Sequence, residues 1–445
     1  MPSSTFHGPA GPFVAARRLA PGLLYATFLV GASFFVTAEI SAENSKPGVD
    51  WPRFRGPEAD GAIPQTDLAE SWADSAPKIL WKRPLGEGFS SISVVGDRLY
   101  TLFADGEEDL VAAFRAADGE EIWRFSLGPK FRENFGNGPR STPTVVDGTV
   151  FALGSQGRLV ALDTAEGKLL WQKELQQAYP ILASQTLVAM APTMPGPQLP
   201  VFGYSASPLV TDGLVVLQTG AGQGRSLVAL DPKTGEERWT ALDDEIGYST
   251  PLRTDFGQGS RILVLLGADL VALTLDGKVD WRFSWAPTPS QPVLVGQDRI
   301  LVSTVNDIGA KLVRVKEGTG DERIETVWAE RRFRNNWNSS LYYDGHLYGF
   351  DNATFRCVDA ETGEFRWSKR GLGQGTLLRS GDQLLVFSDR GKLHLVEATA
   401  EAFRDLGSLE VLSGRSWTAP SLAGGVIYVR NHEEMAAIDL TGGAS

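Results

Sequence analysis

The chain has 445 residues, 42% of them hydrophobic and 22% charged, and a net charge of −12. That balance supplies a large apolar core, and the acidity excludes a nucleic-acid partner, which would need a basic face to displace counterions. One cysteine, Cys357, and four histidines without metal-ligand spacing leave no intrachain disulfide framework and no Cys-rich zinc site.

The N-terminus reads as an address. Arg17 and Arg18 precede an apolar run over 19–36, then small residues, then the polar stretch Glu43-Asn44-Ser45-Lys46. This order predicts a secretory signal peptide over residues 1–42, cleaved near Ala38 or Ala42 or retained as an N-terminal membrane anchor. No cysteine follows the run, which excludes lipoprotein processing. The expected location is therefore exported: periplasmic, or tethered to a membrane through this segment. Residues 43–78 form an N-terminal extension.

A repeat then takes over. VAAFRAADGEEIW (111–123), LVALDTAEGKLLW (159–171), LVALDPKTGEERW (227–239), FRCVDAETGEFRW (355–367) and the shorter LVALTLDGKVDW (270–281) all place Trp four residues after Gly. Each apolar run predicts a strand buried on both faces. Asp163, Asp231 and Asp359 can fold their carboxylates onto turn amides, and the glycine supplies the positive φ that closes a hairpin. The Trp falls on the returning outer strand, where a large ring fills the wedge between diverging sheets. Cys357 aligns with Ala161 and Ala229 and reads as a small core residue.

A second hairpin precedes each of these, starting at Ser90, Ser141, Ala206, Ser249, Ser290, Asn338, Gly375 and Thr418. Two hairpins make a four-stranded antiparallel blade, and eight copies at a period near 40–48 residues predict an all-β, eight-bladed β-propeller over 79–440, with a short tail at 441–445. The repeat ending at Trp328 is stretched around its turn, and the seventh blade has lost the Gly-Trp pair. The last hairpin ends at Ile438-Asp439 without an outer strand, while Ile79-Leu80-Trp81-Lys82 is an outer strand without a blade. The N-terminal strand is therefore expected to complete the C-terminal blade and close the ring. Such a closed ring needs no second subunit, so a monomer is expected.

The A-x-D-x-x-T-G-x-x-x-W pattern resembles the repeat of pyrroloquinoline-quinone (PQQ) dehydrogenases. It also resembles the outer-membrane assembly lipoproteins of Gram-negative bacteria, which share the repeat without the cofactor. The opening Trp51-Pro52-Arg53-Phe54-Arg55-Gly56-Pro57, followed by Gly88-Phe89-Ser90-Ser91, is similar to exported PQQ-binding-like proteins. The resemblance spans residues 51–440 and is specific for the fold rather than for an activity.

A site is expected where the innermost strands begin, at one mouth of the central channel. Aligning the residue three before each Ser-x-Pro proline gives Phe89, Arg140, Ser205, Tyr248, Pro289, Trp337, Gln374 and Trp417. The column varies where packing alone predicts sameness. Phe89, Arg140, Tyr248, Trp337, Asn338, Gln374 and Trp417 are the candidate ligand-binding set: aromatic faces to stack on a flat ligand, and one guanidinium to bind an anion. The alternative is that these residues plug the channel and Arg140 is solvated or paired. The stretch 335–338 could lend oxygens to Ca²⁺, with Asp244 and Glu245 the nearest carboxylates by alignment. Two insertions, 128–139 with Phe131 and Phe135 and 176–203 with Met190 and Met194, enter the same face. Arg331, Arg332 and Arg334 read as a solvated basic patch. His346, His394 and His432 show no Ser or Asp partner for triad chemistry.

Two functions follow. The first is a non-catalytic scaffold that holds a protein partner or small ligand at the channel mouth, with no catalytic residue and no metal of its own. The alternative, implied by the resemblance, is a PQQ- and Ca²⁺-dependent dehydrogenase of alcohols or sugars. Alcohol-type members of that family carry adjacent cysteines beside the cofactor, and this chain has one cysteine and no C-x-x-C-H haem site.

Overall fold

A computed structural model describes residues 49–64, 67–181, 199–256, 259–305 and 307–442. The signal or anchor segment and both methionines of the second insertion lie outside these residues. The described chain forms eight sheets, each built on four antiparallel strands, seven of these sets consecutive in the chain; one sheet gains a fifth, parallel strand. Blade two is typical, with strands Thr144–Val146, Thr149–Leu153, Arg158–Asp163 and Leu169–Glu174. The expected ring closure is present: Lys78–Pro84 pairs antiparallel with Glu434–Asp439 as the outer strand of blade eight.

The core lies between the blades. Along the third strand of blade two, Leu159 and Ala161 pack toward blade three, and Val160 and Leu162 toward blade one. All four are fully buried. Period-two alternation therefore feeds two different cores, which is why the strand reads as an unbroken apolar run.

The Trp-Gly motif acts between blades rather than within one. Trp123 donates its indole N–H to Thr164 O at 3.1 Å, in the turn of the following blade, and Trp171, Trp239, Trp328 and Trp367 repeat the bond to Pro232, Leu275, Ala360 and Thr399. In the first four of these pairs the next turn carries a glycine, with φ from +69° to +83°, that lies under the ring. A Cβ on Gly167 would come 2.5 Å from Trp123. The turn Asp residues behave as expected, with Asp163 Oδ1 accepting from the amides of Ala165 and Glu166 at 2.9 Å.

The middle residue of each Ser-x-Pro element ties the innermost strands together. Ser91 N donates to Thr142 Oγ1 (3.1 Å), Thr142 N to Ser207 Oγ (2.9 Å), and Ser207 N to Thr250 Oγ1 (3.0 Å). Gln291 N donates to Ser339 Oγ at 2.9 Å in the same way. These bonds run from blade to blade around the channel.

The N-terminal extension is built into the ring in two ways. Residues 51–63 cross the channel mouth opposite the candidate site. Trp51 bridges Val94 of blade one, Pro52 O accepts from Val145 N of blade two (2.8 Å), and Arg53 reaches Val210 O of blade three. Arg55 is fully buried and donates to Ser340 O of blade six at 2.9 Å; burial lowers its pKa to about 10. Ala62–Ile63 then adds a parallel strand to the channel edge of blade seven. Further on, Ala69 N donates to Leu440 O at 2.8 Å, at the turn position that accepts a Trp indole in other blades. Trp72 is 5% exposed and packs on Gly407, in the outer strand of blade seven. Blade seven has no Trp of its own, and the extension supplies the missing ring.

Candidate functional site

Each column residue immediately precedes an innermost strand, so the eight are delivered to one mouth from eight separate points in the chain. Three of the aromatics converge. Trp417 stacks between Phe89 and Trp337, with ring centroids 6.0 and 5.6 Å away and interplanar angles of 22° and 25°. Trp337 Nε1 donates to Gln374 Oε1 at 3.2 Å, and Asn338 Nδ2 donates to Gly375 O at 2.7 Å. Tyr248 belongs to a second group. Its ring meets Phe202 edge-on at 5.1 Å, and Phe202 meets Phe135 at 5.9 Å.

Arg140 joins the two groups. Its guanidinium carbon lies 4.7 Å from the Phe89 ring centre and 5.8 Å from that of Phe202. It forms an ion pair with Glu133 of the first insertion and donates to Gly136 O at 3.1 Å. Both side chains of the pair are largely buried, so the guanidinium is paired rather than solvated, and burial lowers its pKa despite Glu133. Ser205 turns back to Phe202 O at 2.7 Å, and Pro289 is exposed.

The first insertion therefore caps the mouth. Arg415, beside Trp417, donates to Phe135 O at 2.6 Å across the ring. Phe135 itself is 55% exposed and presents an apolar ring above the cap. Sequence reasoning found the loop and its phenylalanines but missed Glu133, Phe202, Arg415 and His432. None of these belongs to a repeat column, so no alignment of blades marks them.

Two titratable groups flank the cap, Asp109 buried and His432 half-buried. Asp109, 2% exposed, accepts from Ser155 Oγ (2.9 Å) and Phe131 N (3.3 Å), yet burial pushes its carboxyl up to about 6. His432 packs edge-on against Phe89 at 4.3 Å, and its pKa falls to about 4 through burial and the charge of Arg430, against the pull of Glu87. The native state holds the extra Asp109 proton between the ordinary carboxyl value and about 6, so that contribution is present at low pH and lost as pH rises through 6. His432 works the other way: its contribution is present above the ordinary histidine value and lost as pH falls toward 4. The slopes oppose each other. Asp109→Asn is expected to gain stability over the parent as pH rises, and His432→Gln as pH falls. Urea unfolding at about pH 4.5 and about 7.5 checks both signs. A variant-minus-parent difference of the same sign slope for both would contradict the assignment.

The residues present do not fit a PQQ–calcium site. Both Asp244 oxygens are engaged by Arg282 at 2.8 and 3.0 Å. Asn335 spends its amide on Phe350 O and Ser340 Oγ, and Asn338 Oδ1 accepts from Asn336 N. The Trp337–Trp417–Phe89 stack leaves no gap for a third ring between its members. One expectation about histidine needs correction. His394 Nδ1 lies 3.5 Å from Asp405 Oδ2, a pairing made across two strands of blade seven and hidden from the sequence. Burial lowers its pKa, as for a core histidine.

The family model described as "Outer membrane protein assembly factor BamB" matches residues 69–239, 107–281 and 266–445. The chain belongs to this family. The overlapping matches are those of a tandem repeat, as the blades require. The outer membrane protein assembly factor BamB of Shewanella oneidensis is 24% identical over 406 residues, covering 84% of this chain and 92% of that protein. The dehydrogenase subunit of the quinone alcohol dehydrogenase of Gluconobacter oxydans is 23% identical over 278 residues, covering 56% of this chain and 34% of that one. The chain thus spans about a third of the enzyme subunit's length. The crystal structure of BamB from Moraxella catarrhalis superposes with a TM-score of 0.58 at 13% identity, covering 82% of this chain and all of that one, a likeness of fold. Among the described residues no helix is long and apolar enough to cross a membrane.

Proposed function

We propose that this BamB-family propeller is an exported, non-catalytic scaffold that holds a protein of outer-membrane assembly over its capped channel mouth. The observation that carries the reading is closure of the channel by the chain itself. At one mouth the Phe89, Trp337 and Trp417 rings stack together and Arg140 is held by Glu133; at the other lie residues 51–63. A reaction chamber needs access, and a scaffold does not. What the cap offers outward is the exposed ring of Phe135 beside Phe202 and Arg415, an apolar anchor rimmed by polar groups. The similarity to assembly factors over most of both chains supports a protein partner. The donor set of the mouth, already committed internally, speaks against PQQ and Ca²⁺. In this reading Phe89, Arg140, Tyr248, Trp337, Asn338, Gln374 and Trp417 form the rigid platform beneath the partner, and the segment before residue 49 directs export or tethers the monomer.

The test is site-specific photo-crosslinking in the exported full chain. A photoreactive phenylalanine analogue at Phe135 is expected to yield one discrete adduct with an outer-membrane assembly protein. The same analogue at Leu170, equally exposed at 55% on the opposite face, is expected to yield none. Equal adducts at both positions, or none at Phe135, would overturn the reading.

A further inference from the structure

Of the arginines after blade five, Arg331 and Arg332 are exposed, in keeping with a solvated patch, and Arg334 is half-buried. Arg332 and Arg334 join arginines from blades six and seven around an open cavity of about 760 Å³, on the same face as the capped mouth but over blade six. Arg332 and Arg334 come from the link into blade six, Arg356 and Arg370 from its third and fourth strands, and Arg390 from a turn of blade seven.

Internal carboxylates satisfy only part of this charge. Asp351, 5% exposed at its side chain, divides its two oxygens between Arg334 Nε and Arg356 Nη2, each at 2.8 Å. Glu330 takes Arg332 at 3.1 Å. The face of Phe365 supports two of the guanidiniums, with Arg356 at 4.3 Å and Arg332 at 4.9 Å from its centre. These three arginines are therefore fixed in place before any ligand arrives. Among the described residues, Arg370 and Arg390 have no carboxylate partner, and Arg356 Nε is buried without a hydrogen bond. Between them runs Gly371-Leu372-Gly373, where a Cβ at 371 would meet open space, so the backbone leaves the cavity unobstructed.

Asp351 and Glu330 offset only part of the charge of the five guanidiniums lining this cavity, and the positive charge left over favours an anion there. A guanidinium fork matches the oxygens of a phosphate two at a time, and a tetrahedral dianion can accept forks from several sides. We propose that this cavity binds a small phosphate-bearing anion, held chiefly by Arg370 and Arg390 with Arg356 at its base.

Calorimetric titration of the full chain with inorganic diphosphate at low ionic strength tests it. One-to-one binding is expected, weakened about tenfold or more by Arg370→Glu/Arg390→Glu and unchanged by Lys278→Glu, an exposed site on a distant turn. Both arginines are exposed, and an unaltered melting temperature will show that the double variant folds. Absence of heat up to about 10 mM diphosphate, or equal affinity in the double variant, would overturn the proposal. Citrate at matched ionic strength separates phosphate from carboxylate chemistry: weaker binding supports the assignment, and equal or tighter binding refutes it. Retained binding in a chain whose Phe135 adduct fails, or the reverse, keeps this site distinct from the scaffold surface.

Discussion

Trp72→Ala is expected to destabilise the propeller by about 3–5 kcal/mol, the cost of truncating a buried Trp. The residue lies in a segment that a domain map would assign to a linker, and a linker residue would cost nearly nothing. Its Cβ and backbone lie against Gly407, its amide donates to Leu406 O at 2.8 Å, and it belongs to the core shared by blades seven, eight and one. That core includes the seam where the N-terminal strand closes the ring. Loss of the ring opens a cavity where blade seven has no Trp to fill it. Urea unfolding followed by Trp fluorescence and by circular dichroism measures the effect. A midpoint unchanged from the parent would show that the extension merely lies on the surface. Trp72→Phe, which keeps most of the apolar volume, is expected to lose less.

The second large effect concerns the lock between neighbouring blades. Trp123→Ala is expected to cost about 3–5 kcal/mol, since the ring is 8% exposed and its indole N–H is bonded across the blade interface. Gly167→Ala is expected to cost about 2–3 kcal/mol, because the added Cβ meets the Trp123 ring at 2.5 Å and φ is +69°. The two changes should not add. With the ring gone the methyl group has room, and only the backbone strain of Gly167 remains, so the double variant should be more stable than the sum by about 1–2 kcal/mol. Strict additivity would mean that ring and glycine do not touch.

This interblade lock also shows how a correct sequence reading can hold an incomplete mechanism. Trp lies four residues after Gly in five repeats, so the pair looks like one hairpin's internal contact. The structure assigns the glycine of one turn to the Trp of the preceding blade. Tandem repetition makes the two arrangements identical in sequence, because blades one to four and blade six each carry both a turn glycine and a Trp.

The sequence by itself determined the architecture: eight blades, their order, the Asp-anchored turns, and closure of the ring by Lys78–Pro84 against Glu434–Asp439. Each of these rests on local periodicity repeated along the chain, and repetition lets one hairpin vouch for the next. It also delivered the column of mouth residues, because register within a blade fixes which residue precedes each innermost strand. Only the tertiary structure decided what those residues do. Arg55 meets Ser340 across 285 residues, and Arg415 meets Phe135 across 280. Glu133 pairs with Arg140 from an insertion that no other blade copies, and the arginine cavity gathers five side chains from two blades and the link before them. These contacts join residues that occur once each, and nothing periodic marks them. They form because a closed ring brings distant segments to one face, and that proximity exists only once the ring has closed.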